Sequence, residues 1–439
     1  MYSREKILSL APDAVSAGKA VECAVPWRWE RAEGTERAVW GLYKTPAEPF
    51  TTIVDVQKQR FKCNCPSRKF PCKHALGLLL MLLEKPDAFR LAHEYPDEVK
   101  KWLEARDKRK ETEKKIPDDT TPVAESAWNW QNIATPQRLE EMLEGAETLE
   151  NWLLDLTRQG LAQALQQGTD LWLQMSARMV DSKLGGLAKR LRQVPALLQL
   201  SDWETRLAGE MGALFLFVRS FKKMKTLPPA LQCELLQIAG VNLKKEEVLK
   251  QSGVWDDWLV ISQMTGTEEN LNFRRVWLWG QTSLQPALLL DYSFGDAGFD
   301  TRWQTATTFE GEVIFYPGTF PLRALVKTIE AQNKPVAEPE GFSGFHEFFK
   351  TYAEALSKNP WLGQFPAVLK KVFPAIHQNQ WYLLDHARDQ QLPLQTTALI
   401  GWKLLALSGG APLTVFGEWD GFVFLPLSVW TEGRLVEVT

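Results

Sequence analysis

Phe61-Lys62-Cys63-Asn64-Cys65-Pro66-Ser67-Arg68-Lys69-Phe70-Pro71-Cys72-Lys73-His74 holds three of the five cysteines in a chain of 439 residues, together with a histidine. In extended backbone, residues i and i+2 face the same way, so Cys63 and Cys65 can point at one centre. Pro66 pushes Cys65 toward that extended form. Six residues then let the chain reverse before Cys72 and His74. Three thiolates and one imidazole are a standard tetrahedral set for zinc, with no position left for water, so the sequence predicts one structural Zn2+ held by Cys63, Cys65, Cys72 and His74. A redox role would favour the C-x-x-C spacing over the C-x-C found here.

Upstream, Ala38 to Tyr43 and Phe50 to Phe61 read as two strands separated by Pro46 and Pro49, a hairpin with a longer loop. Downstream, Ala75 to Glu84 is rich in helix formers and meets no breaker before Pro86. Cys72 and His74 therefore sit where a helix begins, and free amides there favour a thiolate. The helix is apolar nearly all round and must be covered, by the hairpin and by Ile7, Leu8 and Leu10 or a neighbouring domain. Zinc binding in finger peptides is worth about 10 to 16 kcal/mol, against roughly 5 to 15 kcal/mol for the stability of a whole domain. Metal loss should unfold this unit.

The pattern C-x-C, a variable gap, then C-x-H resembles the SWIM zinc finger. All four ligand positions match, and the Pro71-Cys72-Lys73-His74 run entering an apolar helix is the specific part of the likeness, which covers roughly Val39 to Glu84. The resemblance implies a module that binds DNA or protein. The whole chain also looks like a bacterial SWIM-containing protein of the kind found beside MoxR-like AAA ATPases and von Willebrand A-type proteins, which implies such an ATPase complex as a partner.

Beyond the finger, Pro96 to Lys115 holds 14 charged residues in 20 and runs into Asp118-Asp119-Thr120-Thr121-Pro122, a solvated helix end passing into a linker that Trp128 and Trp130 could pin to a neighbour. Thr135-Pro136 is a helix start, followed by Leu149, Trp152, Leu153 and Leu156 at helical spacing. Ser201 with Glu204 would form a capping box for a second helix. From Trp255 on, short aromatic or β-branched runs read as strands: Trp258 to Ser262, Phe273 to Trp279, Ala287 to Tyr292, Phe309 to Tyr316, Trp381 to Leu384, Leu399 to Leu407, Leu413 to Trp419 and Phe422 to Trp430. Phe342 to Leu356 reads as a helix among them, and Gly409-Gly410 and Asp420-Gly421 as tight turns. The expectation is an α+β multi-domain chain: a hairpin-plus-helix zinc-binding domain over 1–95, a charged helix end and linker over 96–134, a helical domain over 135–252, and a mixed, mostly antiparallel α+β domain over 253–439.

Composition limits the function. A net charge of −3 and a pI near 6.1 do not suit a chain that coats nucleic acid with its whole surface, so such binding must be local. Between Val56 and Leu83 the basic residues Lys58, Arg60, Lys62, Arg68, Lys69 and Lys73 occur with no acidic one, and Phe61 and Phe70 interleave with them. That suits phosphate contact beside base stacking, and the likeness to the SWIM finger implies DNA rather than RNA. The same cations could instead balance the site charge of three thiolates and Zn2+. The 19 tryptophans and the acidic remainder of the chain favour the alternative, a protein-interaction adaptor. Catalysis is not expected: there is no phosphate loop, dinucleotide fingerprint, H-E-x-x-H or G-x-S-x-G. His93, His346, His377 and His386 lie scattered, and Asp256-Asp257 is a bare acidic pair. No basic flank and apolar core mark the first 20 residues as a secretory signal, and the longest apolar run, Ala75 to Leu83, is about half of what a bilayer crossing requires. A cytoplasmic protein without a membrane span is expected.

Overall fold

The computed structural model describes all residues except 1–2, 13, 47, 58–59, 68–70, 93, 104–132, 161–167, 269–270, 295–297, 300, 333–335 and 439, with the backbone alone at 14, 268 and 332. Two helices, α1 (Arg4–Ser9) and α2 (Ala14–Cys23), lead into strands β1 (Trp29–Gly34), β2 (Ala38–Tyr43), β3 (Phe50–Asp55) and β4 (Arg60–Cys63), then helix α3 (Lys73–Glu84) and a short β5 (Arg90–Leu91). The strands form one sheet in the order β4-β3-β2-β1-β5, antiparallel except for the β1–β5 pair. The stretch read as a single strand from Phe50 to Phe61 thus turns after Asp55 and returns as β4, and the expected hairpin lies inside a larger sheet. β1, Trp-Glu-Arg-Ala-Glu-Gly, carries no clean apolar alternation and gave no strand signal.

Alternation explains how both faces of this sheet are filled. Val39, Val54 and Phe61 pack with Ile7, Leu76 and Leu79 beneath α3, while Ala38, Trp40 and Ile53 meet Val99, Trp102 and Leu103 of a helical stretch over 97–103. That second contact buries the beginning of the stretch expected to be solvated; Trp128 and Trp130 lie outside the described residues. Gly77 lets α2 lie directly on α3, since a Cβ there would stand 2.5 Å from the Cβ of Cys23.

Helices α4 (Pro136–Gln159), α5 (Asp170–Asp181), α6 (Gly185–Leu197), α7 (Trp203–Lys222) and α8 (Pro229–Ile238) share one core that includes Leu149, Leu153, Leu156, Trp172, Leu214 and Phe217. Thr135 caps α4, its hydroxyl accepting from the Arg138 amide at 3.3 Å. The capping box expected at Ser201 does not form. Asp202 occupies the cap of α7 without a side-chain bond to the helix amides, and its carboxylate pairs with Arg206 at 2.8 Å instead.

After the short α9 (Lys245–Leu249) the chain builds two antiparallel sheets. The first comprises β6 (Val254–Glu268), β7 (Leu271–Gly280), β8 (Pro286–Phe294), β9 (Thr308–Phe315) and β10 (Ala324–Gln332), in the order β10-β9-β6-β7-β8. Helix α10 (Phe345–Lys358) precedes the second, which is made of β11 (Phe365–His377), β12 (Gln380–Leu384), β13 (Gln391–Pro393), β14 (Leu413–Trp419), β15 (Phe424–Thr431) and β16 (Arg434–Glu437). Leu259, Ile261, Trp277 and Trp279 pack across to Val368, Phe416 and Leu427, and the far face of the second sheet is covered by α10 and α11 (Ala398–Ser408). Glu418 clamps the layers, accepting from Trp277 Nε1 and from Arg275, each at 2.6 Å.

Two expectations fail here. Leu399 to Leu407 is the helix α11: Thr397 caps it through the Ile400 amide at 3.3 Å, and Gly409 ends it in the left-handed conformation at φ +53. Gly409-Gly410 accordingly closes a helix, whereas Asp420-Gly421 does make the β14–β15 turn, with Asp420 accepting from the Phe422 and Val423 amides. β11 was not anticipated because Pro366 and Pro374 interrupt it. It carries a bulge around Lys371, φ +57, and pairs with β14 as far as Val372 and with β12 from Phe373 on, with Pro366 in the first part and Pro374 in the second.

Candidate metal centre

Each of the four donors is positioned by a different part of the finger. Cys63 ends β4 opposite Thr52 of β3, and the Thr52 hydroxyl donates to its sulfur at 3.2 Å. Asn64 turns the chain between the first two ligands: its side-chain oxygen accepts from the Thr51 amide at 2.8 Å, and its own amide donates to the Thr51 carbonyl at 3.2 Å. Cys72 is the extended residue immediately before α3, and His74 lies in the first turn. The imidazole is buried, with Tyr43 and Phe50 against it at ring distances of 4.4 and 5.2 Å.

The three sulfurs and one imidazole nitrogen all lie within 4.8 Å of one another, and Cys63 Sγ is 3.9 Å from His74 Nδ1. With Zn–S bonds near 2.3 Å and Zn–N near 2.0 Å, a tetrahedron has edges of about 3.5 to 3.8 Å, so this cluster closes on zinc with small adjustments. Electrostatics point the same way. Cys65 accepts S–H bonds from Cys63 and Cys72, which pulls its ionisation far below the usual thiol range. Its two neighbours are pushed up in return, Cys63 to about 11, because each keeps its proton in a hydrogen bond to a neighbouring sulfur; for Cys72, burial and the charge of a nearby thiolate add to this. A divalent cation among the sulfurs removes that repulsion.

The basic residues fare differently from the ligands. Arg60 is withdrawn from the expected nucleic-acid face: its side chain is 3% exposed and bonds Glu310 of β9 at 2.7 Å. Lys62 reaches Glu98 at 2.8 Å. Lys58, Arg68 and Lys69 lie outside the described residues. Lys73 opens onto a groove of about 720 Å³ beside the metal centre, which is also lined by Cys65, His74, Tyr43 and Phe50. Lys19 of α2 and Lys44, just past β2, line the same groove, and no carboxylate does so among the described residues. No local pattern marks Lys19 or Lys44 in the sequence; the packing of α2 on α3 brings Lys19 to the site, and the end of β2 brings Lys44.

Asp256 accepts from the Thr282 and Ser283 amides at 3.0 and 2.7 Å, holding the β7–β8 turn, and Cys233 is a buried lone thiol raised to about 11 by desolvation. Among the described residues, no other group of three or more Cys, His, Asp or Glu side chains is arranged to hold a metal ion, and no helix is long and apolar enough to cross a membrane.

Comparison with known families agrees with this geometry. Residues 54–83 match the SWIM zinc finger model, and residues 137–239 match the SWIM-associated four-helix bundle domain. No curated protein and no solved structure matches the chain. Both matched families are binding modules and neither is a catalytic one. The chain thus carries a SWIM zinc finger, with Cys63, Cys65, Cys72 and His74 as the donors for one structural zinc ion, followed by the helical bundle that accompanies such fingers.

Proposed function

We propose that this is a non-catalytic, cytoplasmic zinc protein that binds nucleic acid, DNA in preference to RNA, along the groove beside its metal centre. The observation that carries the reading is the set of three lysines, Lys19, Lys44 and Lys73, opening onto one groove with no carboxylate among its described lining residues. A chain with a net charge of −3 needs such a local concentration of cations to hold phosphates. Zinc serves here as scaffold: it fixes the loop and the first turn of α3, from which Lys73 projects. The preference for DNA rests on the likeness to SWIM proteins.

Filter binding or fluorescence anisotropy with the full chain tests it. Binding should weaken with salt, and Lys19→Glu with Lys44→Glu should lower affinity about tenfold or more and flatten the salt slope by roughly two counterions. Absence of salt-dependent binding to both DNA and RNA would overturn the proposal.

A second reading, an adaptor for a MoxR-like AAA ATPase and a von Willebrand A-type protein, draws support from α11, where Leu399 and Trp402 stand 80% and 58% exposed. Stoichiometric recovery of such partners after nuclease treatment, lost in Trp402→Ala, would favour it.

A further inference from the structure

Trp27 is 70% exposed, although it sits on pinned backbone. It lies in a single 3-10 turn, Pro26–Arg28, whose end is tied by the Arg28 amide to the Val25 carbonyl at 3.1 Å and by the Lys44 amide to the Arg28 carbonyl at 2.9 Å. The next residue, Trp29, is buried and donates to the Cys23 carbonyl at 2.9 Å. A large rigid ring held out into water costs hydration free energy and recurs at contact surfaces. Its surroundings say which kind of contact. Lys85 Nζ stands 5.8 Å from the ring centroid, Lys44 Nζ bonds the Trp27 carbonyl at 3.0 Å, and Arg28 reaches the Tyr43 hydroxyl at 3.3 Å. Lys44 also lines the groove beside the metal centre, so the two surfaces share a residue. Of the acidic neighbours, Glu84 is already paired with Arg4 at 2.8 Å, and Glu22 is the carboxylate whose field reaches Arg28.

We infer that the finger binds single-stranded nucleic acid, stacking an unpaired base on Trp27 while Arg28, Lys44 and Lys85 hold the flanking phosphates and the strand continues into the groove of Lys19 and Lys73. The inference rests on the nucleic-acid reading above and deepens it. An aromatic face with cations at its rim suits a splayed strand, because a base inside a duplex offers its edges and keeps its faces covered. The cations beside the ring, Lys85 over it and Lys44 and Arg28 next to it, favour a partner that carries a phosphate at every step over an apolar peptide anchor.

Fluorescence anisotropy of the full zinc-loaded chain with a labelled 20-nucleotide single strand, and with the same sequence as a duplex, tests this. Trp27→Ala should weaken single-strand binding about tenfold and leave duplex binding within about twofold, while Trp27→Phe keeps most of the affinity. Because the ring is exposed, zinc content and melting temperature should not change in either variant. Single-strand binding unchanged in Trp27→Ala, or reduced equally for both probes, would overturn the stacking role and leave the nucleic-acid reading standing. A wild-type chain that binds neither probe would overturn both and leave Trp27 as a protein contact.

Discussion

In the finger, one helix of 12 residues and a sheet of short strands close around a cluster of three thiols and an imidazole. The two sheets of residues 254–438 close instead around Trp258, Trp277, Val368, Phe416 and Phe424, with polar clamps such as Glu418 at the seam. The finger therefore depends on what is dissolved around it, above all zinc and protons, whereas the sheets depend on area removed from water. The proposed binding surface and the metal dependence coincide in the finger: Lys73 lies between two ligands.

Removing zinc is the strongest way to separate the two regions. A metal contribution of about 10 to 16 kcal/mol is as large as the roughly 5 to 15 kcal/mol net stability of a whole domain. Chelation, or Cys72→Ser, should abolish hydrogen-exchange protection in α3 and β4 while β11 and β14 keep theirs. Protection that survives in α3 after metal analysis has shown zinc to be gone would mean that the finger, like the sheets, stands on burial.

The next effect lies at the seam between the regions. Arg60 and Glu310 are 3% and 8% exposed, and Arg60 Nε and Nη1 have no hydrogen-bond partner among the described residues. Glu310→Ala leaves the guanidinium buried without its counter-charge and should cost about 3 to 5 kcal/mol in urea unfolding. Arg60→Leu with Glu310→Leu should recover most of it, since a buried ion pair is often replaceable by packed apolar groups. A single-variant loss below about 0.5 kcal/mol would show that water reaches the pair and that the finger is only loosely docked.

A smaller effect tests whether the sheets also rest on local signals. Thr397→Ala removes the hydroxyl that accepts from the Ile400 amide and should cost about 1 kcal/mol, read as a lower melting temperature of the C-terminal region with unchanged zinc content.

What could be read in the sequence follows from how far apart the interacting residues lie. The four ligands fall within one loop and one helical turn, so spacing alone placed them. Burial of Arg60 was out of reach, because its partner stands 250 positions away and the six cations of the stretch, Arg60 among them, looked equivalent. Lys19 and Lys44 were missed for the same reason. Helix α11 was misread even though its signals were local: the aliphatic and aromatic residues of Leu399 to Leu407 fit a buried strand, but the run exceeds the usual 4 to 8 residues and has a cap at each end. β11 was hidden by its own prolines, which the strand accommodates on either side of a bulge, Pro366 where it pairs with β14 and Pro374 where it pairs with β12.

The faintest expected effect is a pH slope at Glu234, where the helical bundle meets the C-terminal region. Burial pushes this carboxyl above its ordinary range, while bonds from the Thr319 amide and hydroxyl and from Asn359 pull it back, so the two causes partly cancel. With the folded-state value raised, the folded chain holds the proton longer than the unfolded one. Its contribution is then fully present below the ordinary carboxylate range and is lost as pH rises through the raised value. Glu234→Gln cannot titrate. The melting temperature of the wild type should therefore fall relative to this variant as pH is raised from about 4.5 toward 7. Zinc release at the acid end lowers both proteins alike and drops out of the difference, so an opposite slope would mean that the hydrogen bonds outweigh desolvation and that this junction favours the charged carboxylate.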